Sequence, residues 1–92
     1  MLDEQDAIAA AAAFLAETSR QWPDLNVRVA SHWTFADDGK LIVPWNTVEA
    51  LDHGDADAEL GGNMPICVDL KTGECRYIDI NELVSYMSRG LI

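Results

Sequence analysis

The chain has 92 residues and sets 16 Asp and Glu against 6 Lys and Arg, a formal net charge of −10. A chain of this length buries roughly 60 to 65% of the surface its unfolded form exposes, which is enough for one core and therefore one domain over residues 1–92. A hydrophobic share of 49% belongs to a globular protein rather than a disordered one. The acidity disfavours nucleic acid and anionic lipid, because both are held through Lys and Arg.

From Leu2 to Arg20 the residues predict a helix with Asp3 as N-cap and Glu4 and Asp6 in the first turn, where carboxylates meet the positive end of the helix dipole. Seven alanines (7, 9 to 13 and 16) raise its propensity, and Ile8, Ala11, Ala12 and Leu15, widened by Phe14, form the expected apolar stripe. Its apolar run, Ala7 to Ala16, is ten residues long, about half of what a bilayer-crossing helix needs. Asp3, Glu4 and Asp6 also stand where a secretory leader carries basic residues. With only two cysteines, too few for a disulfide framework, the expected compartment is the cytosol. Pro23 ends the helix by Trp22.

Val27 to Phe35 then alternates with period two, placing Val27, Val29, Ser31, Trp33 and Phe35 on one face of a strand. Asp38-Gly39 supplies hairpin-turn chemistry, and Lys40 to Trp45 reads as the returning strand, with Pro44 at an edge or strand end because it has no N–H to give a ladder. On this reading Trp33 and Trp45 sit on facing strands. Asn46 to Asn63 has no strand periodicity and contains five acids, Glu49, Asp52, Asp55, Asp57 and Glu59, with no Lys or Arg. Thr47 to Leu51 can form a helical turn, and a connection of this length in a compact domain is usually functional or mobile.

Met64 to Leu70 and Glu74 to Ile78 form two further strands about a turn closed by Gly73. Two registers are open to this hairpin. If Asp69 pairs with Glu74, Val68 faces Cys75 and the cysteines point to opposite sides of the sheet; a slip of one residue brings them together. The Asp69 turn favours the first. Asp79 and Glu82 form a capping box for a last helix with Ile80, Leu83, Val84 and Met87 as its stripe and Gly90 as its stop. The expected fold is α+β: an N-terminal helix packed on an antiparallel sheet of about four strands, with a short C-terminal helix beside the first.

Chemistry-bearing groups are sparse. His32, His53, Cys67 and Cys75 contain no close ligand pair of the C-x2-C or H-x3-H kind, nor a C-x-x-C redox motif. Asp55-x-Asp57-x-Glu59 begins like a calcium loop but is followed by Leu60 in place of Gly and has Ile66 at the twelfth position. Gly61-Gly62 lacks the lysine and following helix of a phosphate loop, and no nucleophile is paired with an oriented base. The sequence therefore predicts no catalytic residue, metal or cofactor. Binding is the remaining activity. Its candidates are the acids of the connector, Glu49, Asp52, Asp55, Asp57 and Glu59, with Trp45 beside them as an aromatic anchor.

Trp33-Thr34-Phe35, then Asn46 and an acidic connector, then Leu60-Gly61-Gly62-Asn63-Met64-Pro65-Ile66-Cys67-Val68-Asp69 and Thr72-Gly73-Glu74 resemble the immunity protein 35 family of bacterial polymorphic-toxin systems, which includes YrhB-like small proteins. The similarity covers about residues 1 to 80, and its most specific part is G-N-x-P-x-x-V-D-x-x-T-G. It implies a small α+β protein that binds a cognate toxin in the producer's cytosol; the chain itself is expected to be a monomer or small homo-oligomer. It further implies that Pro65 and Gly73 set backbone geometry, that Trp33 fills the core, and that the interface lies in the parts least fixed by the motif, above all residues 46 to 60. Asp37-Asp38-Gly39 and Pro44-Trp45 depart from the more aromatic stretch of the family pattern. A chaperone or adaptor acting on client proteins is the alternative from a different class.

Overall fold

The computed structural model describes residues 1–92 and has the predicted α+β architecture. Its elements are α1 (Glu4–Thr18), β1 (Val27–Val29), β2 (Phe35–Asp37), β3 (Lys40–Val43), β4 (Trp45–Thr47), α2 (Val48–His53), β5 (Ile66–Asp69), β6 (Cys75–Tyr77) and α3 (Ile80–Ser88). β2-β3-β5-β6 form a four-stranded antiparallel sheet, and β1-β4 form a two-stranded one. No helix is long and apolar enough to cross a membrane.

The central strands β3 and β5 are apolar on both faces, which tells where the helices sit. Leu41, Val43, Ile66 and Val68 pack with Ala7, Ala11 and Leu15 of α1. Ile42 and Cys67, offset by one residue and hence on the opposite face, pack with Ile78 and with Tyr86 of α3. The sheet is thus covered on both sides, and α3 lies across it from α1 rather than beside it. Strands buried on both faces read as continuous apolar runs, so alternation could not assign the faces.

The N-cap of α1 is Asp3, as expected, with its carboxylate accepting from the Asp6 N–H at 2.8 Å. The buried stripe is Ala7, Ala11 and Leu15, rotated from the predicted one, and Ala12 is exposed. Methyl groups at positions 9 to 13 make neighbouring rotations nearly equal in buried area, so larger groups decide. Phe14 packs on Tyr77 with ring centroids 5.1 Å apart, and the Leu2 N–H donates to the Leu70 carbonyl at 2.8 Å.

The predicted strand from Val27 to Phe35 is broken. Val29 pairs with Trp45, yet Phe35 pairs with Ile42, so five residues on one arm of the hairpin oppose two on the other. The surplus forms the 3₁₀ turn Ser31–Trp33, where Pro44 interrupts the returning arm. The Ala30 N–H still donates to the Pro44 carbonyl at 2.7 Å, but the proline has nothing to donate in return. An odd surplus reverses the parity of the strand: Val27 and Val29 pack against the α1 core, whereas Phe35 packs against the α3 core. Trp33 is consequently 69% exposed and does not fill the core, and it does not face Trp45. Trp22 takes that place, stacked on Trp45 at 5.7 Å with the rings 9° apart.

Turn chemistry follows the sequence closely. Asp37 pairs with Lys40 across Asp38-Gly39, both at positive φ (47° and 78°), the two-residue hairpin that an Asp-Gly pair favours. Gly73 also adopts positive φ (80°), and a Cβ there would lie 3.3 Å from a methyl of Leu2. The register of β5 and β6 is the one that pairs Val68 with Cys75 and Cys67 with Arg76, and both thiols are free.

The capping box of α3 is complete, with Asp79 accepting from the Glu82 N–H at 2.8 Å and Glu82 from the Asp79 N–H at 3.1 Å. Its buried face differs from the predicted stripe: Tyr86 is buried and Leu83 half-buried, while Ile80, Val84 and Met87 are exposed. Polar contacts accompany the packing of Tyr86 and Leu83 on Ile42, Cys67 and Ile78. Glu82 receives both Arg76 guanidinium nitrogens at 2.7 and 2.9 Å, and the Tyr86 hydroxyl donates to Asp37 at 2.9 Å.

Candidate functional site

Residues 46 to 63 contain more order than the sequence suggested. Asn46 and Thr47 belong to β4, and Thr47 caps α2 by accepting from the Ala50 N–H at 3.1 Å. Beyond α2, a 3₁₀ turn at Ala56–Ala58 carries Asp57. Side-chain staples then tie the connector back to β4. Asn46 Oδ1 accepts from the Thr47 and Leu60 N–H groups, both at 2.8 Å, and its Nδ2 donates to the Leu60 carbonyl at 3.3 Å. The buried Thr47 hydroxyl donates to the Ala58 carbonyl at 2.9 Å, and Asn63 Nδ2 donates to the Trp45 carbonyl at 2.6 Å. Each bond satisfies a backbone group that a loop would otherwise leave to water.

This folding-back creates an open groove of about 440 Å³ between the connector and the Ser31–Trp33 turn. Pro44 and Trp45 contribute to its apolar lining, Ala50, Leu51 and Ala56 come from the connector, and the exposed Trp33 also borders it. Asp55 and Glu59 are the only charged residues lining it, and neither has an ion-pair partner. Trp33 is held on a short hydrogen-bonded turn: its N–H donates to the Ala30 carbonyl at 3.0 Å. The next residue, Thr34, bonds the Ser31 carbonyl at 3.1 Å and Glu4 at 3.2 Å.

The six predicted binding residues separate. Trp45, Asp55 and Glu59 meet at the groove, but Trp45 is only 6% exposed, and its indole N–H donates to the Met64 carbonyl at 2.8 Å. It is a core residue that presents part of itself to the groove. Asp57 is exposed on the 3₁₀ turn, its N–H donating to Asp55 Oδ1 at 3.1 Å, and Glu49 is half-buried on α2; neither lines the groove. Asp52 points elsewhere and forms a forked ion pair with Arg28 of β1, whose Nε donates to both carboxylate oxygens at 3.1 and 3.2 Å. That hydrogen bonding holds the Asp52 carboxyl below its ordinary range, so one of the five acids is compensated by a distant base.

Trp33 is the residue that sequence reasoning misplaced. The signal for it lay in the unequal hairpin arms, Val27–Phe35 against Lys40–Trp45, which cannot pair residue for residue without an excursion. His32 and His53 are exposed, and the two cysteines lie on opposite faces of the sheet, where burial pushes both thiols up. No protein-family model matches this chain, and neither does any curated protein or solved structure.

Proposed function

We propose that this chain is an immunity protein, which binds a cognate toxin stoichiometrically and occludes it, with the acidic groove as part of its contact surface. The observation that carries this reading is the pairing of an exposed tryptophan with two uncompensated carboxylates on a groove stapled in place by Asn46, Thr47 and Asn63. Aromatic anchors are enriched in protein-binding sites, whose rims are polar, and carboxylates beside such an anchor select a partner of complementary charge. The G-N-x-P-x-x-V-D-x-x-T-G run supports the same reading through its family resemblance, which also implies that the protein acts in the producer's cytosol. A basic toxin surface is the complement of a chain with net charge −10.

The test is co-expression with each protein encoded beside this gene, read by growth rescue and by a 1:1 complex on size exclusion. Rescue from one toxin, retained when His32, His53, Cys67 and Cys75 are each replaced by Ala in folded variants, is the expected result. Loss of rescue in such a variant with binding intact overturns occlusion. A second reading, a chaperone or adaptor, draws on the exposed Ile80, Val84 and Met87 of α3. It predicts weak binding to many unfolded chains, abolished by Val84→Asp and Met87→Asp and indifferent to the groove.

A further inference from the structure

We infer that the groove between Trp33 and the Ala56–Ala58 turn is a socket for an arginine side chain of the protein partner, an assignment that rests on the binding role proposed above. The groove holds negative charge on one part of its lining, in Asp55 and Glu59, an exposed indole in Trp33, and no base of its own. Five of the six Lys and Arg residues are engaged in ion pairs within the chain, and the sixth, Lys71, lies at the β5–β6 turn. The positive charge that complements the groove therefore comes from outside the molecule.

Arginine suits this lining better than lysine. A guanidinium is flat, is weakly hydrated at its faces and offers several donors in one plane, so it stacks on an indole while forking to carboxylates. A lysine ammonium, more strongly hydrated, gains less from leaving water for a partly apolar groove. The chain itself makes the same arrangement elsewhere: the Arg89 guanidinium lies 5.0 Å over the Tyr86 ring and reaches Asp37 at 3.5 Å. At the groove the aromatic and acidic members are present and the cation is supplied by the partner.

The experiment is an NMR titration of the ¹⁵N-labelled full chain with blocked Gly-Arg-Gly, Gly-Lys-Gly and Gly-citrulline-Gly tripeptides at low ionic strength. The expected result is a saturable shift of the Trp33 indole N–H and of the amides from Gly54 to Glu59 with the arginine peptide. Binding should be at least fivefold weaker with lysine and undetectable with citrulline. Asp55→Asn with Glu59→Gln should abolish the shift while leaving the remaining spectrum in place, since the side-chain amide introduced at position 55 still offers an oxygen to the Asp57 N–H. An unmoved Trp33 signal, or equal and scattered shifts from arginine and lysine, overturns the socket. The toxin assay separates the two ideas. Arginine-selective binding with rescue unaffected by Trp33→Ala leaves the socket standing and removes the groove from the toxin interface, whereas rescue lost in Trp33→Ala without arginine selectivity does the reverse.

Discussion

Asn46 shows how much of the site rests on single side chains. One amide bonds the N–H and the carbonyl of Leu60 and the N–H of Thr47, and so joins the far end of the acidic connector to β4. The cysteines show the opposite case, residues with reactive chemistry placed where it is suppressed. Cys67 is 3% exposed between Ile42 and Arg76, and Cys75 faces the α1 core from the edge strand β6. The thiolate is the reacting species, and burial disfavours it at both positions. Both thiols should therefore titrate under denaturing, non-reducing conditions, while in the native protein Cys75 reacts slowly with a disulfide reagent and Cys67 more slowly still. Two denatured thiols with equal native rates would remove burial as the controlling factor.

Among the elements, α3 is held both by its buried Tyr86, packed edge-on to Phe35 at 5.1 Å, and by polar contacts. Glu82 completes the capping box, takes a forked bond from Arg76 and lies 3.7 Å from Lys40. Arg76 in first place, then the Asp79 N–H, holds its carboxyl at about 2, against an ordinary value of 4.5. A carboxyl depressed on folding stabilises fully above its unfolded-state value and loses that contribution as pH falls through the folded-state one. Glu82→Gln should thus cost about 1 to 2 kcal/mol at pH 7, after discounting for solvent screening, and the gap to the parent should close between about pH 4.5 and 2. Urea melts of both proteins across that range check it; a constant gap would assign the loss to packing. Sequence signals with a stereochemical cause were legible here: the Asp3 cap, the capping box, the Asp38-Gly39 turn and the Asp69–Gly73 register all appear as read. Apolar periodicity located the elements but not their buried faces, because the alanines of α1 barely distinguish rotations, α3 buries Tyr86 from outside its stripe, and three surplus residues before Phe35 reverse its face. The same excursion hid the exposed aromatic of the candidate site by sending Trp33 into solvent.

Across the whole molecule the charge is uneven in its compensation. Glu17, Asp37, Asp52 and Glu82 each meet a base, while Asp55, Asp57 and Glu59 form no ion pair and follow one another within one short turn. Charges left free in this way add to the field that reaches an approaching partner, and that field is screened beyond about 8 to 10 Å at physiological salt. If the proposed basic toxin is the partner, replacing Asp55, Asp57 and Glu59 by Asn, Asn and Gln should slow its association several-fold at low ionic strength and flatten the salt dependence, with a smaller effect on dissociation. The melting temperature should hold or rise slightly, since the three like charges repel one another. Adding Asp52→Asn separates the two roles of the connector: it strips Arg28 of its forked partner, and the melting temperature should fall without a further proportionate loss of association rate. Stopped-flow association at several salt concentrations and thermal melts of both variants measure each term. An unchanged association rate in the triple variant at low salt would remove the connector as the steering surface and make the acids at the start of α1, Glu4 and Asp6, which form no ion pair, the next candidates.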